Sequence, residues 1–158
     1  MLNAYLVPRL PRASGPGSAE PERGADPGAL PRGFYLLDLP GYGYARASHA
    51  ERQAFRRLVT GALTRPRLVG VLWLLDSRRE PSADDRAIQE LFAGRETRVL
   101  AALTKSDKLA RGLRPARERE LRDALALDPD QVIVTSARAG EGIADLRASL
   151  QSLVGQTG

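Results

Sequence analysis

From Phe34 onward, four short apolar runs alternate with four amphipathic stretches, and few folds accept that order. The runs are Phe34–Leu39, Leu68–Leu75, Val99–Leu103 and Val132–Val134. They are largely apolar on both faces, the pattern of buried parallel strands rather than of half-solvated antiparallel ones. The stretches between them read as helices with marked beginnings. Ser48-x-x-Glu51 is a capping box, followed by Phe55, Leu58, Val59, Ala62 and Leu63 on one face. Ser82-x-x-Asp85 starts a second helix carrying Ile88, Leu91 and Phe92. Pro115 suits a first helical turn, with Leu121 and Leu125 one turn apart, and Ile143, Leu146, Leu150 and Leu153 stripe a last helix. Strands alternating with helices predict an α/β fold: a mostly parallel sheet with helices on both faces.

Each apolar run ends at or near a polar group: Asp38, Asp76, Thr104 and Thr135-Ser136. Open parallel sheets bind ligands at the carboxyl ends of their strands, so these tips describe a candidate site. Asp38-Leu39-Pro40-Gly41 sets a carboxylate and an unshielded glycine N–H at one tip. That pair suits a terminal phosphate and its Mg²⁺, with Asp38 holding the metal through water and Gly41 N–H facing phosphate oxygen. A Pro-Gly turn is also a common way to leave a strand. The tail Tyr42-Gly43-Tyr44-Ala45 makes the motif more specific, and its glycines would let the loop follow the phosphate state.

Thr104-Lys105-Ser106-Asp107 reads as a guanine reader. A carboxylate can accept both N–H groups of the guanine N1–N2 edge, adenine lacks that pair of donors, and a lysine stem can lie along the base plane. The competing reading is a solvated helix start capped by Asp107. Thr135-Ser136-Ala137 would close over the base with the Ala137 N–H toward O6, although Ser-Ala after a strand is also ordinary loop sequence. Gly140-Glu141-Gly142 is read as a turn into the last helix. Asp76 is expected to pair with Arg78 or a helix end, His49 to be a solvated first-turn residue, and Trp73 a core or sheet-face aromatic. No residue is assigned a catalytic role.

Composition narrows the classes. The 158 residues suit one domain, and 42% hydrophobic content is enough for a core. There is no cysteine, and one histidine, so neither a disulfide framework nor a multi-histidine metal site is available. Met1 to Leu10 lacks a basic start followed by an apolar core, and no apolar run approaches membrane-spanning length, so a cytoplasmic, membrane-free chain is expected. The positive charge behind the net +5 is nearly all arginine, which favours an anionic partner, RNA above all, although the base composition of the genome alone can also produce an arginine-rich, lysine-poor sequence. The only two lysines, Lys105 and Lys108, both fall in the Thr-Lys-Ser-Asp-Lys segment.

Residues 11–33 are punctuated by Gly15-Pro16-Gly17, Pro27-Gly28 and Pro31-Arg32-Gly33 and show no periodicity, which predicts an irregular segment. The phosphate-cradling G-x-x-x-x-G-K-[ST] motif does not occur in the chain.

Asp-Leu-Pro-Gly-Tyr-Gly-Tyr-Ala, then Leu-Leu-Asp-Ser-Arg-Arg-Glu-Pro-Ser-Ala-Asp-Asp, then Leu-Thr-Lys-Ser-Asp-Lys-Leu, resemble the EngB (YihA/YsxC) ribosome-biogenesis GTP-binding proteins of bacteria. Order and spacing agree from Phe34 to about Leu153, and Thr104, where most small GTPases have Asn, is typical of that family. The resemblance implies a Ras-like P-loop GTPase fold and Mg²⁺ with GTP or GDP. It also implies a part in large-subunit ribosome assembly on rRNA, tied to cell division and septation, and a monomer. It assigns nucleotide contacts to Asp38, Leu39, Pro40 and Gly41, to Thr104, Lys105, Ser106 and Asp107, and to Thr135, Ser136 and Ala137.

The departures lie before Phe34. Leu2-Asn3-Ala4-Tyr5-Leu6 matches the end of the helix that follows the family's phosphate loop, so residues 1–33 are expected to hold a helix remnant and an irregular segment, and 34–158 an incomplete G domain. Arg12-Ala13-Ser14 and Pro16-Gly17 keep only traces of the next family element. A truncated gene model, with or without a local frameshift, would explain both losses. Hydrolysis by this chain is then expected near background, since the positioning loop and its lysine supply the charge stabilisation. The alternative is a nucleotide-independent RNA- or ribosome-binding module built on the same scaffold.

Overall fold

The computed structural model describes residues 3–8, 33–41 and 48–155. It forms two compact units, Met1–Pro40 and Gly41–Gly158.

In the first unit, β1 (Asn3–Pro8) pairs with β2 (Gly33–Asp38) in an antiparallel ladder running from Asn3 opposite Asp38 to Pro8 opposite Gly33. This corrects two expectations. Residues 3–8 are a strand, not the end of a helix. Ala4-Tyr5-Leu6-Val7 carries aromatic and β-branched residues that suit a pleated ribbon, and Tyr5 and Val7 stand across from Leu36 and Phe34. The run at Phe34 is likewise not a two-sided buried parallel strand: Tyr35 and Leu36 are exposed, and Phe34, Leu37 and Leu39 are only half-buried. The compact boundary follows Pro40 rather than Gly33. The irregular segment expected over 11–33 lies, apart from Gly33, outside the described residues.

The second unit holds a parallel sheet in the order β3-β4-β5: β3 (Val71–Asp76), β4 (Val99–Thr104) and β5 (Val132–Val134). The helices α2 (Ala83–Ala93) and α3 (Arg114–Ala124) make the crossovers, α1 (His49–Leu63) precedes β3, and α4 (Ile143–Gly155) follows β5. Both expected capping boxes form. Ser48 Oγ accepts from Glu51 N–H while Glu51 Oε2 accepts from Ser48 N–H, and Ser82 and Asp85 repeat the exchange. Such caps contribute about 1 kcal/mol each by satisfying donors that a helix start cannot bond internally. Pro115 sits in the first turn of α3, where its missing N–H costs nothing.

The centre of the core is β4. Leu100, Ala101, Ala102 and Leu103 are all buried, so both faces of this strand are covered. Its neighbour β3 is one-sided. Trp73 and Leu75 are buried, with Trp73 edge-on to Phe92 of α2 at 5.4 Å, whereas Leu74 on the other face is 62% exposed. The expectation of two-sided burial therefore holds only for the middle strand. Leu68 and Val69 also precede the ladder instead of joining it. Arg67 turns through a left-handed conformation (φ 66°), and pairing begins when Val71 N–H reaches the carbonyl of Arg98.

Gly142 tests the packing at the end of β5. Its φ is +69°, and a Cβ there would lie 2.1 Å from the carbonyl oxygen of Val134. Gly142→Ala should cost about 2 kcal/mol or more and lower the thermal midpoint by on the order of 10 °C. Gly61→Ala, in α1 with open space around the new methyl, should be neutral or stabilising. Thermal melts of the two variants check this, and equal midpoints would refute it.

Candidate nucleotide site at the strand tips

Backbone bonds carry the parallel ladder one step beyond the strands. Thr135 N–H donates to the carbonyl of Leu103 at 2.8 Å, Ser106 N–H to that of Thr135 at 3.1 Å, and Ser77 N–H to that of Thr104 at 3.0 Å. The Thr104 hydroxyl adds a bond to the Leu75 carbonyl at 2.9 Å. The loops after β3, β4 and β5 are thus tied together before any side chain of the candidate site is placed.

Two predicted segments come together on this frame. After β4, Lys105 takes a left-handed conformation (φ 63°, ψ 31°), and Ser106–Lys108 form a single 3₁₀ turn. A non-glycine residue held there stores about 1–3 kcal/mol and persists only where surrounding contacts fix it. The turn presents Asp107, whose Oδ1 accepts the Ser136 hydroxyl at 2.7 Å. Ser106 and Ser136 have no solvent exposure, and Thr135 is buried; Ala137, next along, is exposed. Asp107 is thus braced from the neighbouring loop, not serving as a helix cap. The Ser136 bond, followed by the nearby Lys108, holds its carboxyl below the ordinary carboxylate range. The group is therefore ionised at neutral pH and acts only as an acceptor. Ser136 takes one of its roughly four lone-pair positions, leaving room for two further donors.

Lys105 meets a partner that the spacing did not suggest. Its Nζ donates to Asp76 Oδ2 at 2.9 Å, across the tips of β4 and β3. The expected Asp76–Arg78 pair is present as a fork, Nε to Oδ1 at 2.9 Å and Nη2 to Oδ2 at 2.7 Å. With the lysine side chain 54% exposed, the ion pair adds at most about 1 kcal/mol of stability. Its effect is geometric: the ammonium is drawn toward β3, and the aliphatic stem stays accessible.

Asp38 ends β2 in the first unit and is exposed, and Leu39 and Pro40 follow the strand. One exposed carboxylate fits Mg²⁺ only where phosphate and water supply the other oxygens. Among the described residues no group of three acidic or histidine side chains could hold a metal alone. Tyr42–Ala45 lie outside the described residues. His49 is exposed at the first position of α1, as expected.

Sequence reasoning missed Glu141. Its carboxylate accepts the Ser106 hydroxyl and Arg114 Nη1, each at 2.8 Å, while its carbonyl accepts Ser136 N–H at 2.9 Å. The available signal was the pair of flanking glycines. Both have positive φ, turning the chain sharply enough to bring the residue between them back onto the strand tips.

Comparison with known proteins points the same way. Over 122 residues the chain is 43% identical to the probable GTP-binding protein EngB of Gemmatimonas aurantiaca, covering 77% of this chain and 60% of that protein. It is 38% identical to the EngB of Syntrophomonas wolfei, covering 77% and 63%. Over its matched residues the chain is similar to the EngB proteins. It spans about three fifths of the length of these curated EngB relatives. A crystal structure of a probable GTP-binding protein engB superposes with a TM-score of 0.66 over 77% of each chain at 13% identity, which establishes the shared α/β fold. No protein-family model matches the chain.

The Asp76 geometry makes a pH prediction. The Arg78 bonds foremost, then Lys105, hold its carboxyl well below the ordinary range, against the opposing effect of burial. A depressed carboxyl stabilises the fold fully above its unfolded value of about 3.9 and loses that contribution as pH falls further. Melts from pH 7 to pH 2 should therefore show a steeper decline below about pH 4 for the wild type than for Asp76→Asn. Parallel curves would contradict the assignment.

Proposed function

We propose that this chain is a guanine-nucleotide-binding protein of the EngB type. On this reading it acts in the cytoplasm as a monomer in large ribosomal subunit assembly on rRNA, and through it in cell division and septation. The observation that carries the nucleotide reading is Asp107 braced by Ser136 at the tips of two adjacent parallel strands. The EngB name of the relatives supports it, as does the excess of arginine. Among the described residues no helix is long and apolar enough to cross a membrane.

On this reading the Asp107 carboxylate accepts the N1 and N2 hydrogens of guanine. Adenine places a ring nitrogen lone pair there and leaves the carboxylate unpaired. Lys105 covers one face of the base, and Ala137 N–H meets O6. Asp38 would hold Mg²⁺ through water, and the ion would neutralise phosphate charge.

Titration of the chain with fluorescent GDP and fluorescent ADP should show GDP binding at least about tenfold tighter, the cost of one unmet charged acceptor. Asp107→Asn should move the preference toward xanthine nucleotides. Equal affinity for GDP and ADP would overturn the base reading and favour the alternative, a nucleotide-independent RNA- or ribosome-binding module on the same scaffold.

A further inference from the structure

We infer that Glu141 is a positioning residue for the base-reading edge, clamping the loop after β4 to the loop after β5 so that Asp107 keeps one orientation. The inference rests on the guanine reading above and adds the group that holds the reading carboxylate in place.

Three elements distant in sequence meet on this residue. From the β4 loop comes the Ser106 hydroxyl, completely buried and bonded to Oε2. From the β5 loop comes Ser136 N–H, bonded to the Glu141 carbonyl in an isolated antiparallel bridge. From the start of α3 comes Arg114, whose Nη1 reaches both carboxylate oxygens while its Nε donates to the Leu109 carbonyl. Ser106 directly precedes Asp107, and Ser136 supplies the hydroxyl that Asp107 accepts. Glu141 therefore touches the residue before the reader and the residue that braces the reader, without touching the reader itself.

Magnitudes separate positioning from bulk stability. The Glu141 side chain is 42% exposed, so its ion pair with Arg114 contributes at most about 1 kcal/mol to folding. The Ser106 hydroxyl is in a different situation. Without Glu141 it is a buried donor next to a left-handed lysine, in a turn of three residues. The local cost is then concentrated where Asp107 is presented.

The test compares the full chain with Glu141→Ala, Glu141→Gln, Ser106→Ala and the Ser106→Ala/Glu141→Ala double variant. Amide hydrogen exchange is read at residues 105–108 and 135–138 against the β4 amides, alongside the affinity ratio for fluorescent GDP over fluorescent ADP. Glu141→Ala should speed exchange at the two loops by about tenfold while β4 is unchanged, and should shrink the nucleotide ratio by weakening GDP. Glu141→Gln, which keeps an acceptor for Ser106, should recover most of both. The double variant should be no worse than Glu141→Ala, because one bond joins the two groups. Unchanged loop exchange in Glu141→Ala would overturn the inference, as would equal acceleration in β4. Should Glu141→Ala fail to fold, Ser106→Ala, which breaks the same bond without stranding a buried donor, should show a smaller acceleration confined to the two loops, and no acceleration there would overturn the inference. If the wild type binds neither nucleotide, the guanine reading fails by itself, and loop exchange alone decides whether Glu141 positions Asp107.

Discussion

The candidate site depends on a backbone ladder that continues past the ends of its strands. Thr135 N–H on Leu103 and Ser106 N–H on Thr135 keep β4 and β5 in register into their loops. Parallel pairing of this kind requires both strands to be anchored, and β4 is anchored by burial of both faces. Only on such a frame can a left-handed Lys105 and a single 3₁₀ turn hold Asp107 within 2.7 Å of Ser136. Loosening the ladder would cost little burial, but it would free the one carboxylate whose direction matters.

The tips then divide the work by chemistry. Asp76 gathers two cations, Arg78 and Lys105, and is satisfied by them. Asp107 is given one neutral donor and keeps acceptor capacity. Both carboxyls are held in the ionised form, but Asp76 accepts direct hydrogen bonds from two cations, whereas the cation beside Asp107, Lys108, pairs with its Oδ2 at the longer distance of 3.7 Å. A satisfied carboxylate positions a neighbour, and a partly satisfied one can recognise a ligand.

Much of this was legible in the residues because its causes are local. The capping boxes at Ser48 and Ser82 involve groups three residues apart, and the strand at Val99 is an unbroken apolar run. The strand tips followed once the parallel order was read. What stayed hidden is non-local. Glu141 finds Ser106 and Arg114 35 and 27 positions away, and Asp76 finds Lys105 29 positions away. Leu74 looks like any core leucine, and its exposure depends on which face of β3 the helices cover. Asn3–Pro8 resembles a helix end over a few residues, but it is a strand because Gly33–Asp38 offers an edge to pair with.

The central claim, a preformed edge that reads guanine, is tested most directly with nucleosides, which carry no phosphate and so isolate base recognition. Guanosine and adenosine should be titrated into isotope-labelled chain while the backbone amide shifts of residues 104–107 and 135–137 are followed. Guanosine should move Asp107 and Ala137 in a saturable manner while adenosine leaves them in place. Equal shifts from the two nucleosides, or guanosine shifts confined to other parts of the chain, would contradict the account.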